Sequence, residues 1–251
     1  MSLKISEHFY DGVPLTIYEQ DNLIQKPLIY FFHGFTGNKD ANIMGRGEIL
    51  ANLGFYVVAI DAYLHGKRMS ELEKKRSNIE KYEDIVEIAI HTAEDAKRLF
   101  HKYFKHIDTV QKDLYYAYGV SMGSLTSFYL ATIEPQLKGL VGLVCTPSMV
   151  DYYKDKALQY HFNKGFFYEK KLIYYETLDP LKHPERLHNK SIFMGVGTKD
   201  EVVKPIYAEA LHKLLPETTL KHYDTGHVST KEMLEDSFNF IKEVAHANHS
   251  C

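Results

Sequence analysis

The chain has 251 residues, 45% of them hydrophobic and 25% charged, with a formal net charge of −3. This length suits one large domain or two small ones with a buried core, and the composition is that of an ordinary globular protein. Charges of both signs are interspersed, which leaves no basic face for nucleic acid, and no apolar run approaches the roughly 20 residues that a membrane span needs.

The start, MSLKISEHFYDGVPL, lacks the apolar centre of a signal peptide, so a cytoplasmic location is expected. Cys145 sits at the end of an apolar run and Cys251 is the last residue, which is no basis for a disulfide framework.

In chain order, residues 4–10 and 13–19 flank Asp11-Gly12 and predict a hairpin. Short apolar runs follow at 28–32, 55–60, 114–120, 140–144 and 192–196, with a weaker one at 219–223. Continuous runs of this length indicate strands covered on both faces, as in a parallel sheet. Between them, residues 42–53 predict a helix closed by Gly54. Residues 80–104 predict one long amphipathic helix with Ile85, Ile88, Ala89, Thr92, Ala96, Leu99 and Tyr103 on its buried stripe. Residues 124–132, 205–214 and 231–245 supply further helices. The alternation predicts one α/β domain over 1–251, with a mostly parallel central sheet, helices on both faces and an antiparallel lead-in. Residues 148–181, rich in tyrosine, phenylalanine and lysine, are too long for a single crossover helix and predict an insertion over one end of the sheet.

In open parallel sheets, ligand sites form beyond the carboxyl ends of the strands. After the 114–120 run comes Gly119-Val120-Ser121-Met122-Gly123, a glycine-flanked serine at a strand-to-helix junction. Such a turn lifts the hydroxyl out of the backbone and leaves the N–H of Met122 free for an oxyanion. The glycines are expected because side chains there would collide with the neighbouring strand and helix. After 28–32, His33-Gly34-Phe35-Thr36-Gly37 offers a second backbone donor, the N–H of Phe35; the alternative is a tight turn with His33 as a structural hydrogen-bonding residue. A serine nucleophile needs a base, and the base needs a carboxylate to orient it. Asp200 follows the 192–196 run and His227 follows 219–223, in the order serine, acid, histidine. Glu201 and Asp224 compete for the acid's role. Asp61, after 55–60, is a rival functional carboxylate, or else it fixes its loop through backbone N–H groups. No metal or nucleotide-phosphate motif is present in the sequence, so no metal and no cofactor is expected.

These four loops together resemble the α/β-hydrolase superfamily over nearly the whole chain. His33-Gly34-Phe35-Thr36-Gly37 is similar to its oxyanion loop, Gly119–Gly123 to its nucleophile elbow, Gly197-x-x-Asp200-x-x-Val203 to its acid loop and Gly226-His227 to its histidine loop. More narrowly, the HGFTGNK segment and the Asp61 to Gly66 loop resemble small bacterial esterases of the dienelactone-hydrolase-like and cinnamoyl-esterase-like groups. Cinnamoyl esterases commonly carry His and Gln around the serine, where this chain has Val120 and Met122. Dienelactone hydrolases use a cysteine, where this chain has Ser121. The resemblance implies a serine carboxylesterase that takes small to medium esters through an acyl-enzyme, with 148–181 as a cap. Feruloyl or cinnamoyl esterase, thioesterase and acyl-aminoacyl peptidase activities use the same residues, and a non-catalytic binding protein of this fold is the reading from another class. The expected partner is a small-molecule ester, with no nucleic acid and no membrane. Oligomeric state stays open, a homodimer being one option.

Overall fold

The computed structural model describes residues 2–40 and 45–249. It opens with the hairpin, β1 (Leu3–Tyr10) and β2 (Val13–Gln20), in register Tyr10↔Val13. Asp11 and Gly12 both have positive φ, 48° and 82°, as a two-residue turn matched to strand twist requires. Six parallel strands follow: β3 (Lys26–Phe32), β4 (Tyr56–Ile60), β5 (Val110–Val120), β6 (Leu137–Leu143), β7 (Ser191–Gly197) and β8 (Thr219–Tyr223). The sheet order is β1-β2-β4-β3-β5-β6-β7-β8, and only the β1–β2 and β2–β4 pairings are antiparallel. The carboxyl ends of β3 to β8 therefore share one edge.

Every residue of β3 and β4 is buried, which is why those segments read as unbroken apolar runs. Alternate residues feed two cores: Leu28, Tyr30 and Phe32 enter one, Ile29 and Phe31 the other. Helices α1 (Arg46–Asn52) and α9 (Lys231–His249) cover the second core through Leu50, Ala51, Met233 and Ile241. The first core is covered by α4 (Ile85–Lys102), α5 (Met122–Ile133) and α8 (Ile206–Leu214). Among the described residues, no helix is long and apolar enough to cross a membrane.

Two helix expectations need correction. The helix predicted over 42–53 spans Arg46–Asn52, and the start of the predicted range lies outside the described residues. The single helix predicted over 80–104 is divided. Ser70 caps α2 (Glu71–Lys75) and Ser77 caps α3 (Asn78–Tyr82), where Glu80 completes a capping box. The chain leaves helical geometry at Asp84 (φ −108°, ψ 5°) before α4 begins. Asp84 is held at this break by Arg76 at 2.7 Å and by Lys171 at 3.3 Å, so ion pairing takes over from helix continuity. The predicted stripe from Ile85 to Leu99 is buried, but Tyr103 has left the helix and stacks on Tyr10 at 4.8 Å. Cys145 is buried and free; Cys251 lies outside the described residues.

The 148–181 segment forms two helices, α6 (Met149–Gln159) and α7 (Phe166–Leu178). Its two ends are joined by one buried carboxylate. Asp179, just past α7, accepts from Val150 N–H at 2.8 Å and from Ser148 Oγ at 3.1 Å at the start of α6, and from Leu181 N–H at 2.8 Å. Burial raises the Asp179 pKa while these donors oppose the rise. Four of the segment's rings anchor one another: Tyr153 packs on Phe162, Tyr168 and Tyr175 with centroids 5.2 to 5.7 Å apart. Replacing Asp179 by Ala leaves buried donors unpaired and is expected to cost about 2–4 kcal/mol in urea denaturation; wild-type stability in that variant contradicts the staple.

Candidate active site

Ser121 follows β5 and caps α5 with φ 54° and ψ −118°, a backbone conformation that L side chains rarely adopt. Two glycines make this turn possible. A Cβ on Gly119 would lie 2.1 Å from the carbonyl oxygen of Gly123, and a Cβ on Gly123 would lie 2.1 Å from that of Phe32. The expected collision is thus between strand and helix at Gly119, and between α5 and β3 at Gly123. Ser121 N–H donates to Leu143 O at 2.9 Å and ties the turn to β6.

The structure brings the three sequence-predicted side chains together. His227 Nε2 lies 2.8 Å from Ser121 Oγ, and its Nδ1 lies 2.7 Å from Asp200 Oδ2. A carboxylate only accepts, so Nδ1 carries the proton that it donates to Asp200 and Nε2 faces the hydroxyl. Asp200 is buried, and its other oxygen accepts from the N–H groups of Val202 (2.9 Å) and Val203 (2.8 Å). The acid and histidine loops are zipped by Thr198 N–H to Tyr223 O and Lys199 N–H to Thr225 O, both 2.9 Å. A Cβ on Gly197 would come 2.4 Å from Gly226 O, so close approach again demands glycine.

The competing carboxylates have other partners or none at this site. Asp224 is exposed and pairs with Lys199 at 2.6 Å, which lowers its pKa; Glu201 is exposed. Asp61 is buried and accepts from Lys39 N–H and Lys67 N–H, each at 2.8 Å, so it fixes its loop as the second reading of it expected.

Phe35 is held by two histidines. His33 Nε2 accepts from Ala62 N–H at 3.0 Å, so its proton is on Nδ1, which donates to Gly34 O at 2.8 Å. Gly37 N–H donates to the same oxygen at 2.9 Å. In a trans peptide the carbonyl and the next N–H are antiparallel, so fixing Gly34 C=O also fixes the direction of Phe35 N–H. On the far side, His65 Nε2 donates to Phe35 O at 2.6 Å. Burial, and after it the neighbouring His65, push the His33 pKa down to about 4, while the Gly34 bond opposes the fall. Met122 is the first residue of α5, where an N–H has no intrahelical acceptor.

A cavity of about 290 Å³ opens over Ser121 and His227, walled by Phe35, Tyr82, Val144, Tyr152 and Val202. The wall residues Tyr82, Val144 and Tyr152 were not singled out as site residues by the sequence. Tyr152 was one ring among many in 148–181, and Tyr82 lay inside what read as a continuous helix. Val144 has φ 43°, unusual for a β-branched residue, and no sequence pattern encodes it. A larger cleft of about 550 Å³ at the opposite edge, beside Lys26 and Phe55, contains no comparable set of serine, histidine and acid. Among the described residues, no cluster of three or more His, Cys, Asp or Glu side chains could hold a metal.

No protein-family model matches the chain. It is 27% identical over 237 residues to the Bacillus subtilis (strain 168) protein named "Putative esterase YitV", covering 89% of this chain and 84% of that protein. In three dimensions it resembles TT1662 from Thermus thermophilus, with TM-score 0.75, 17% identity and coverage of 98% and 99% of the two chains. It also resembles acetyl xylan esterase 1 from Thermoanaerobacterium sp. JW/SL YS485, with TM-score 0.64, 19% identity and coverage of 96% and 87%. The chain has the α/β-hydrolase fold.

Two predictions follow from this geometry. The folded pKa of His33 lies below the ordinary 6.5, so the unfolded chain binds the extra proton, and stability is lost as pH falls from about 6.5 to about 4. The loss is about 3 kcal/mol, and the denaturation midpoint is expected to fall more steeply in wild type than in His33→Asn; parallel slopes refute it. At Val144 the usual order of alanine over glycine should invert. Val144→Gly is expected to be about 1 kcal/mol more stable than Val144→Ala in chemical denaturation, because only alanine keeps the left-handed penalty.

Proposed function

We propose that this chain, with its α/β-hydrolase fold, is a serine carboxylesterase acting on small to medium esters through an acyl-enzyme. The single observation that carries the reading is the continuous hydrogen-bonded path from Ser121 Oγ through His227 to Asp200, on loops at the ends of β5, β8 and β7. His227 Nε2 takes the proton as Ser121 Oγ attacks the ester carbonyl. Asp200, held by two backbone N–H groups, orients the ring and stabilises the imidazolium. The N–H groups of Phe35 and Met122 receive the oxyanion, each worth a few kcal/mol in a water-poor site. His227 then protonates the departing alcohol. A water deprotonated by His227 attacks the acyl group, and collapse of the second intermediate returns the proton to Ser121.

The names of the Bacillus subtilis relative and of the Thermoanaerobacterium structure support an ester substrate. The cavity supports a small, largely apolar acyl or alcohol group, since valine and aromatic side chains form most of its wall. We read 148–181 as a cap, because Tyr152 of α6 contributes to that wall. Cys145 is no rival nucleophile: it is fully buried, and burial pushes its thiol pKa up, away from the reactive thiolate.

A panel of p-nitrophenyl esters of increasing acyl length tests the reading. Wild type is expected to turn over the short members, and Ser121→Ala to lose about a thousandfold or more in kcat. A fluorophosphonate is expected to label Ser121 alone. Activity kept in Ser121→Ala overturns the mechanism.

A further inference from the structure

The backbone on both sides of Phe35 is fixed by His33 and His65, but its ring is held from elsewhere. The Tyr82 ring lies parallel to the Phe35 ring, centroids 4.2 Å apart at 18°. Tyr82 also stacks on Tyr160 of the 148–181 segment, 4.8 Å away at 19°. Three rings thus form one column from the loop after β3, through the end of α3, to the residue that closes α6.

The same segment adds a buried cation. Lys156, on α6, is 1% exposed, and its ammonium lies 5.2 Å from the Tyr152 ring centroid, 5.7 Å from Tyr82 and 5.9 Å from Tyr160. Its hydrogen-bond partner is Gln159 Oε1 at 2.9 Å, and among the described residues no carboxylate lies within ion-pair distance. Burial lowers its pKa, while Asp155 and Asp200 act from a distance in the opposite sense. A buried ammonium without a counter-ion is costly unless ring faces replace water around it. Two of the three rings that do so, Tyr82 and Tyr152, also wall the Ser121 cavity. Tyr82 lies two residues before the ion-paired break at Asp84, where Arg76 and Lys171 tie the end of α3 to α7.

We propose that Tyr82 is a positioning residue for the oxyanion loop, clamped between Phe35 and the Tyr160–Lys156 pair of α6, so that the placement of 148–181 adds a third restraint, beside His33 and His65, on the placement of the Phe35 N–H. The inference rests on the reading of Ser121 as nucleophile and Phe35 N–H as oxyanion donor. It makes turnover depend on a contact between the cavity wall and α6, on the side of Tyr82 away from Phe35. A small displacement of a donor is enough, because misplacement by about 1 Å can cost on the order of a hundredfold in rate.

The test uses the full chain, p-nitrophenyl acetate and phenylboronic acid. The boronic acid gains a B–O bond to Ser121 Oγ while the hydroxyl proton passes to His227, giving a tetrahedral adduct that needs the oxyanion donors. Tyr82→Leu removes the ring and is expected to lower kcat by about tenfold or more and to weaken boronic acid binding in proportion, with a smaller change in KM. Tyr82→Phe keeps the ring and is expected to restore both to within about twofold of wild type. Lys156→Met leaves Tyr82 in place and is expected to lower kcat and boronic acid affinity together by about threefold or more. Tyr82→Leu or Lys156→Met with unchanged kcat and boronic acid affinity overturns the proposal, as does a change confined to KM. Should Tyr82→Leu fail to fold, the Lys156→Met result decides alone. Wild type inactive on every ester, or Ser121→Ala still active, would instead remove the reading on which it rests.

Discussion

Two backbone contacts that leave no room for a side chain, Gly119 against Gly123 and Gly123 against Phe32, decide where Ser121 stands. They press the end of β5, the start of α5 and the end of β3 into one another, so the serine, the first turn of a helix and the loop carrying Phe35 share a few ångströms. The parallel sheet delivers the rest, because every strand from β3 to β8 releases its loop at the same edge. A third tight contact, Gly197 against Gly226, repeats the device between the acid and histidine loops. Close packing of main chain, with few long side chains, therefore sets the geometry of the site.

Charge at this edge is managed chiefly by backbone groups. Among the described residues Asp200 has no lysine or arginine partner, and it is solvated instead by two N–H groups and an imidazole. That arrangement keeps the carboxylate aimed at His227. A cationic partner would compete with the ring for the same oxygens. Asp224, only three residues before His227 but facing solvent, is paired with Lys199 instead. His33 shows the complementary case: held between a donor and an acceptor and sealed from water, it serves as a neutral strut.

The strands that carry the site were legible because buried parallel strands must be apolar throughout, and the residues after each run had to be the ones at the edge. The glycine spacing around Ser121, and the serine, acid, histidine order, were legible for the same geometric reason. What the sequence concealed depends on contacts remote along the chain. The break at Asp84 is made by Arg76 and by Lys171, a residue of α7, while the local periodicity runs straight through it. Tyr82 and Tyr152 become cavity walls only when α3 and α6 meet, and Val144 looks like any strand-end valine until its φ is known.

The positive φ values of Ser121 and Val144 belong together. Ser121 N–H is bonded to Leu143 O, the carbonyl that immediately precedes Val144, and Val144 N–H is bonded in turn to Gly195 O on β7. Strained residues at the ends of two adjacent strands are thus joined to each other and to a third strand. Each costs on the order of 1–3 kcal/mol, and such conformations persist only where the surroundings over-determine them. The buried centre of the sheet supplies that restraint, with β5 and β6 almost fully enclosed near their carboxyl ends. The rigidity of the core is therefore what allows the edge to hold a serine, and the wall facing it, in conformations that neither residue would adopt in a free loop.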